Sequence, residues 1–296
     1  MKNLKLYLVS LVIFFSYFSI MGQGKGDNKQ KSPIDTALNG FQFRSIGPAF
    51  MSGRISDIAI DPNNENIWYV AVSSGGTWKT ENAGTTWQPL TDNQPFFATG
   101  CITIDPNNSA SIWLGTGENV AGRHIGIGHG IYHSLDGGKS WKNVLFVNDL
   151  SGASELSIDF NNPKVLYATM WEHQRFPWKV VSGGEGSGVY KSIDSGENWF
   201  KIENGLPSEL GKMAISVSRA NSNKVYLLAE SDSNKRLGGL FVSNNSGEDW
   251  LKIIEYAELT SRAWYYIEVF TDPNDENTVY VLSARAFRSI DGGKTW

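Results

Sequence analysis

An eight-residue motif occurs five times in this chain, and its repetition limits the folds that the sequence can adopt. The pattern is Ser/Thr-x-Asp/Asn-x-Gly-x-x-Trp, and successive copies start 54, 58, 51 and 46 residues apart. A recurring unit of about 50 residues is typical of solenoids, propellers and arrays of small modules. The defining residues of this repeat motif are Thr80, Asn82, Gly84, Trp87; Ser134, Asp136, Gly138, Trp141; Ser192, Asp194, Gly196, Trp199; Ser243, Asn245, Gly247, Trp250; and Ser289, Asp291, Gly293, Trp296.

Each copy lies in the same local pattern of short strands. Residues 55–90 contain four runs with alternating apolar and polar residues, separated by turn sequences. The turn Asp61-Pro62-Asn63-Asn64 joins the first two runs, and the repeat motif joins the last two. Four antiparallel strands per unit predict a β-propeller blade, whereas helical repeats need amphipathic patterns that this sequence lacks. We therefore predict an all-β propeller.

The number of motif copies predicts how much of a propeller is present. Residues 41–296 hold about four complete blades and most of a fifth, because the chain stops at Trp296, before the fourth strand of the last blade. A ring that lacked blades would leave a strand edge unpaired. We therefore expect these residues to be a fragment of a larger propeller.

The repeat motif itself has the chemistry of a structural turn. Its hydroxyl and its Asp or Asn oxygen are able to accept backbone N–H hydrogen bonds, and its glycine allows a backbone conformation that other residues resist. Its tryptophan supplies a large apolar face for packing between sheets. We therefore predict structural roles for all twenty motif residues.

The N-terminal segment predicts export. Lys2 and Lys5 precede an apolar run at residues 6–20, which is typical of a signal peptide at 1–22, with a membrane anchor as the alternative. Residues 23–40 are predicted to be a flexible linker. We expect a bacterial protein in the periplasm, at the cell surface or outside the cell, which meets the membrane only during export.

Charge and cysteine content exclude some classes of partner and stabilisation. The formal net charge is −4 and no basic stripe is present, which argues against binding to nucleic acid. Cys101 is the single cysteine, so we expect a buried thiol and no internal disulfide.

The repeat motif is identified as the Asp-box, or bacterial neuraminidase repeat. Asp-boxes occur in sialidases, in xyloglucan-cleaving glycoside hydrolases with two propellers and in sortilin-type receptors. Residues 41–296 most resemble bacterial exported proteins with a sortilin-like N-terminal domain, often labelled glycosyl hydrolases. The resemblance depends on the segment 43–55, on the Asp-Pro-Asn-Asn turns and on the segment 115–119. It implies a propeller but not an activity, because Asp-boxes occur in enzymes and receptors alike.

Propeller topology predicts which end of the blades carries function. The Asn-rich turns and the repeat motifs share one end, so ligand-binding groups are expected at the opposite end, where the other loops lie. Two of those loops, at 117–130 and 171–188, are enlarged and hold three of the four histidines. The ligand-binding residues that we predict there and in neighbouring connections are Arg54, Glu118, Arg123, His124, Trp171, Glu172, His173 and Arg262.

The sequence favours a binding protein over an enzyme. A glycosidase needs two carboxyl groups across the scissile bond. The resemblance to xyloglucan-cleaving enzymes implies a catalytic Asp at the position that Ser73 occupies here, so no catalytic residue is identified. We expect a peptide, protein or glycan ligand, no cofactor and no metal, since His124 and His129 lack a third ligand. The alternative is a glycoside hydrolase, xyloglucanase-like or sialidase-like, that acts on a polysaccharide.

Overall fold

The computed structural model describes residues 53–296, apart from 121, 123, 124, 232 and 256. The predicted signal peptide, the predicted linker and the first residues of the predicted propeller, 41–52, lie outside this part. Residues Met51–Trp296 form one compact unit. Its regular structure, in the described part, consists of β-strands alone. A search of the described residues for a helix long and apolar enough to cross a membrane finds none.

The strands form five antiparallel sheets that follow one another along the chain. Blade 1 contains β1 (Ile55–Ile60), β2 (Trp68–Val72), β3 (Gly76–Thr80) and β4 (Gln88–Pro89). Blade 2 contains β5 (Thr99–Asp105), β6 (Asn108–Thr116), β7 (Ile131–Ser134) and β8 (Lys142–Leu145). Blade 3 contains β9 (Ser151–Ile158), β10 (Leu166–Arg175), β12 (Gly188–Ser192) and β13 (Phe200–Ile202), with β11 (Val180–Ser182) as an addition. Blade 4 contains β14 (Met213–Val217), β15 (Val225–Ala229), β16 (Gly239–Ser243) and β17 (Leu251–Ile254), and blade 5 contains β18 (Glu268–Thr271), β19 (Val279–Leu282) and β20 (Ala286–Ser289).

Sheets in this arrangement are covered on both faces, which explains the apolar character of their central strands. In blade 4, β15 and β16 are buried at every residue, whereas β17 at the outer edge is partly exposed. A strand covered on both faces needs a continuous apolar run rather than strict alternation. The sequence VYLLA of β15 has this character.

Side chains of the innermost strands link each blade to the next. The Asp57 Oδ2 atom accepts a hydrogen bond of 2.8 Å from the Ile102 backbone N–H, which joins blade 1 to blade 2. The Ser157 Oγ atom accepts one of 3.1 Å from the Val217 N–H, which joins blade 3 to blade 4. These inter-blade links satisfy backbone groups at the open edge of an innermost strand. The all-β propeller is therefore confirmed, with five blades in the described part of the chain.

In blades 1 to 4, an aromatic residue of the second strand packs against the repeat motif of the following blade. The Trp113 Nε1 atom donates to the Ser195 carbonyl at 3.2 Å, and the Tyr167 hydroxyl donates to the Ser246 carbonyl at 2.8 Å. Burial of the ring and satisfaction of its polar atom are thus combined in one contact. The aromatic residues at these equivalent positions are Tyr69, Trp113, Tyr167 and Tyr226, all with at most 1% exposure.

The repeat motif forms the hydrogen-bonded turn that its sequence predicts. In blade 3 the Ser192 Oγ atom accepts from the Gly196 N–H at 2.8 Å and donates to Asp194 Oδ1 at 2.8 Å. Asp194 Oδ1 also accepts from the Asn198 N–H at 2.9 Å. The Ser or Thr, the Asp or Asn and the Gly of the other copies make equivalent bonds, and the glycine N–H is always the donor to the hydroxyl. Packing of the final tryptophan is less uniform, since Trp250 is 5% exposed and Trp87 is 38% exposed.

Candidate functional site

The loop face is the end of the blades where the second strand of each blade connects to the third. Ser73 directly follows β2, Glu118 lies two residues beyond β6, and Glu230 directly follows β15. Glu172 lies in the part of β10 that extends past its last pairing with β12, Met170↔Gly188. Polar residues therefore occupy this end of four successive blades.

Arg54 and Glu118, two of the predicted ligand-binding residues, meet at this face. The Arg54 Nη2 atom lies 2.7 Å from Glu118 Oε2, and the Ser74 hydroxyl donates to Glu118 Oε1 at 2.7 Å. The Arg54 side chain is 47% exposed, whereas the Glu118 side chain is 1% exposed. Arg54, Ser74 and Glu118 together form what we call the Arg54 site.

Burial and hydrogen bonding oppose each other at Glu118. Removal from water raises the pKa of the Glu118 carboxyl, while the Ser74 hydroxyl, the Arg54 guanidinium and the Gly126 backbone act to lower it. A carboxylate in this position orients the arginine, because it accepts from the guanidinium on one side only. The guanidinium also lies against Gly122, since a Cβ atom added there would approach Arg54 Nη2 to 3.0 Å and Nη1 to 3.1 Å.

Ser73 lacks a carboxyl group at the position where the resemblance implies a catalytic Asp. Its side chain is fully buried, and its Oγ atom lies 2.5 Å from the Ser56 Oγ atom. The Glu118 carboxylate of blade 2 accepts a hydrogen bond from the adjacent residue, Ser74. In the described part of the chain, the Ser73 hydroxyl therefore forms a hydrogen bond that links β1 to the end of β2.

Trp171 and His173 lie together in blade 3, but they are buried rather than presented to solvent. Their rings stack at 3.9 Å, and they are 1% and 2% exposed. The Trp171 Nε1 atom donates to the Ser182 hydroxyl at 3.1 Å. Burial lowers the pKa of His173 to about 4, so its ring is neutral at neutral pH. In this structure the two stacked rings pack in the interior beneath the 171–188 loop. Direct contact between either ring and a ligand remains a prediction.

Glu172 holds the glycine-rich segment that follows. Its Oε2 atom accepts from the Gly186 N–H at 2.8 Å and from the Asn148 amide at 3.3 Å. A Cβ atom added to Gly184 would approach the Glu172 carboxylate to 2.4 Å. A side chain at Gly184 would therefore displace the Glu172 carboxylate from this position.

The remaining predicted residues do not join these groups. Arg262 is exposed in the connection between blades 4 and 5, beside Tyr266, Ser283 and Ala284. Arg123 and His124 lie outside the described residues, so their predicted role is not tested. Where the structure describes the chain, no three His, Cys, Asp or Glu residues are grouped as a metal site would need.

Sequence reasoning missed a second polar group at the loop face, around Glu230. The Trp264 Nε1 atom donates to Glu230 Oε1 at 2.7 Å, and the Ser182 hydroxyl donates to Glu230 Oε2 at 2.6 Å. Lys212 lies beneath them with its Nζ atom 5.9 Å from the centre of the Trp171 ring. The sequence does contain a signal for Glu230. It is the polar residue that directly follows a second strand, at the position equivalent to Ser73.

Comparison with known proteins points to glycoside hydrolases. No protein-family model matches the chain. A probable oligoxyloglucan-reducing end-specific xyloglucanase of Neosartorya fischeri is 22% identical over 349 residues, which cover 88% of this chain and 42% of the relative. The xyloglucanase Xgh74A of Acetivibrio thermocellus is 24% identical over 283 residues, which cover 82% of this chain and 32% of the relative. The chain thus spans less than half the length of either relative.

Solved structures show the same fold. The GH74 xyloglucanase from Xanthomonas campestris matches with a TM-score of 0.60 and 15% identity, over 80% of this chain and 36% of the other. YCF48 bound to a D1 peptide matches with a TM-score of 0.52 and 19% identity, over 86% and 70%. These likenesses support the propeller. The relatives' names favour the glycoside hydrolase alternative over the non-catalytic binder that we expected from the sequence.

Proposed function

We propose that this chain is an Asp-box propeller of an exported glycoside hydrolase that acts on xyloglucan or a similar β-linked polysaccharide. The observation that carries the proposal is the half-exposed Arg54 side chain, whose guanidinium is held at the loop face by a buried carboxylate. An oriented guanidinium offers several N–H donors to sugar hydroxyls. The similarity to two xyloglucanases over more than four fifths of the chain supplies the class of substrate.

In this proposal the described residues bind the polysaccharide, and none is assigned to bond cleavage. Ser73 offers no carboxyl group, and the Glu118 carboxyl is covered by its partners. Glu118 is therefore a positioning residue that acts through Arg54. A glycosidase needs a pair of carboxyl groups across the scissile bond. We assign that pair to none of the described residues.

The test separates binding from chemistry in the full-length protein. Release of reducing ends from xyloglucan is measured, with mixed-linkage β-glucan and xylan for comparison. Loss of one charge-assisted hydrogen bond in Arg54→Ala should raise KM about tenfold with little change in kcat. Glu118→Gln should change KM in the same direction, because the guanidinium loses its anchor. Arg285→Ala is the matched control, since Arg285 is also exposed and ion-paired, to Glu258 at 3.5 Å.

Two results would contradict the proposal. One is the absence of hydrolysis on all three polysaccharides, and the other is an Arg54→Ala variant with an unchanged KM. Loss of kcat with an unchanged KM in Glu118→Gln would instead make Glu118 a catalytic residue and overturn its positioning role.

Peptide binding is a second candidate. It is favoured by the fold likeness to YCF48, whose structure holds a D1 peptide. Saturable binding of peptides at the loop face, lost in Arg54→Ala and accompanied by no polysaccharide cleavage, would establish this candidate in place of the hydrolase.

A further inference from the structure

A cavity of about 340 Å³ opens at the loop ends of blades 4 and 5, apart from the Arg54 site. Its walls include Glu230, Ser231, Lys235, Arg236, Glu255 and Trp264. Sites for small molecules occupy about 300–1,000 Å³, so this cavity has room for a ligand of one or two sugar rings at most.

The acidic residues that line the cavity have partners in the described structure, whereas its two basic residues form no ion pair there. Glu230 already accepts from Trp264 and Ser182, and the Lys212 backbone N–H adds a third donor at 3.3 Å. Glu255 lies 3.9 Å from Lys252 Nζ. Lys235 and Arg236 are exposed, and neither forms an ion pair with another described residue. The charge left to a ligand is therefore positive.

Other groups of the wall suit a hydroxylated ligand. Ser231 is 2% exposed, and its hydroxyl has no hydrogen-bond partner among the described residues. Buried polar atoms without partners are uncommon, and a bound molecule is one way to satisfy them. Trp264 adds an aromatic surface beside the Glu230 carboxylate, whose lone pairs accept from hydroxyl groups.

We propose that this cavity binds a carboxylated sugar, a hexuronate unit. The Lys235 and Arg236 side chains hold its carboxylate, Glu230 and Ser231 bond to its hydroxyls, and the Trp264 indole covers part of its ring. This site is separate from the Arg54 site and does not depend on the hydrolase activity.

The experiment uses the full chain and three small probes. Glucuronate, glucose and acetate are titrated by calorimetry. Glucuronate should bind saturably, and glucose and acetate should each bind at least tenfold more weakly, since each lacks one half of the recognised chemistry. A Lys235→Ala/Arg236→Ala double variant should lose about tenfold or more in glucuronate affinity. Both side chains are exposed, so the double variant should fold.

Control variants locate the binding. Lys139→Ala removes an exposed lysine from a repeat motif on the opposite face and should leave glucuronate affinity unchanged. Arg54→Ala should also leave it unchanged, which separates this site from the polysaccharide site. No saturable binding of glucuronate, equal affinity in the double variant, or equal affinity for acetate or glucose would each overturn the proposal.

Discussion

Three copies of the repeat motif place a residue other than glycine in the left-handed region of backbone space. Ala83, Ser195 and Ser246 have φ angles of 52°, 63° and 59°. The equivalent residues of the other two copies, Gly137 and Gly292, have φ angles of 73°. L-residues pay about 1–2 kcal/mol for this conformation, whereas glycine adopts it freely. The motif's hydrogen bonds thus hold these three turns in an unfavourable geometry.

The strain predicts opposite effects for two exchanges at this position. Ala83→Gly should raise the free energy of unfolding by about 0.5–1 kcal/mol, the strain relieved less the added chain entropy of glycine. Gly137→Ala should lower it by about 1 kcal/mol through strain alone, since the nearest atoms to a new Cβ, Lys79 Nζ and Tyr69 Oη, lie 3.7 Å away. Urea unfolding curves measure both. A loss of stability in Ala83→Gly would show that the turn is not strained.

At the scale of elements, blade 3 departs from the other blades by an extra hairpin. β10 continues beyond the blade and pairs with β11, from His173↔Ser182 to Arg175↔Val180. Phe176 and Trp178 lie in the turn between them, stacked at 5.8 Å, and Trp178 is 82% exposed. An exposed indole on a paired hairpin is a surface on which a sugar ring is able to stack.

Trp178→Ala should therefore weaken polysaccharide binding without affecting the fold. We expect a loss of about 0.5–1.5 kcal/mol in binding free energy, which is about three- to tenfold in affinity. The unfolding midpoint should stay unchanged because the side chain buries little area. Phe200→Ala, at an exposed aromatic of the outer strand β13, is the control and should bind normally. Equal losses in both variants would count against the hairpin as a binding element.

At the scale of the whole molecule, three innermost strands bring carboxyl groups together. Burial raises the pKa of Asp57 to about 6. It also raises that of Glu155, whose carboxyl is hydrogen-bonded to Glu268. Lys212 is buried nearby, and burial lowers its pKa although the carboxylates of Glu268, Glu155 and Glu230 oppose the change. Blades 1, 3, 4 and 5 thus share one electrostatic cluster.

The cluster predicts that the propeller loses stability as pH rises from about 4 through about 6. Asp57 keeps its proton up to about pH 6 when folded and loses it near 3.8 when unfolded, so its contribution to stability is complete below pH 3.8 and disappears as pH rises through about 6. Asp136 has the opposite sign, because hydrogen bonds from Ser140 lower its pKa to about 2, and its contribution disappears as pH falls towards that value. Stability should be greatest near pH 4, where both contributions are close to complete.

Thermal unfolding at pH 5 and pH 8 measures this dependence. Glu155→Gln imitates the protonated carboxyl and should reduce the difference between the two midpoints. Glu203→Gln, at a residue whose side chain is 74% exposed, should leave the difference unchanged. Identical midpoints for the native chain at both pH values would be incompatible with the proposed cluster.

The sequence predicted the blade well because its signals are local. The hydroxyl, carboxylate and glycine of each repeat motif bond within five residues, and the strands follow from alternation and turn residues. Exposure at the loop face depends instead on contacts from other blades. Trp171 is an aromatic residue in a loop, as is typical of ligand-binding residues, yet the Ser182 hydroxyl and the His173 ring cover it. Glu230 was overlooked because its partner Trp264 is 34 residues away.

The inter-blade links through Asp57 and Ser157 have a consequence for how the molecule responds to damage. Each link joins a blade only to its successor along the chain. Apart from the electrostatic cluster, the total stability is therefore close to a sum of single-blade terms and nearest-neighbour terms. A lesion in one blade is then felt by the adjoining blades and fades beyond them. Because the effect is local, the loops of separate blades are able to diverge in evolution without lowering the stability of distant blades.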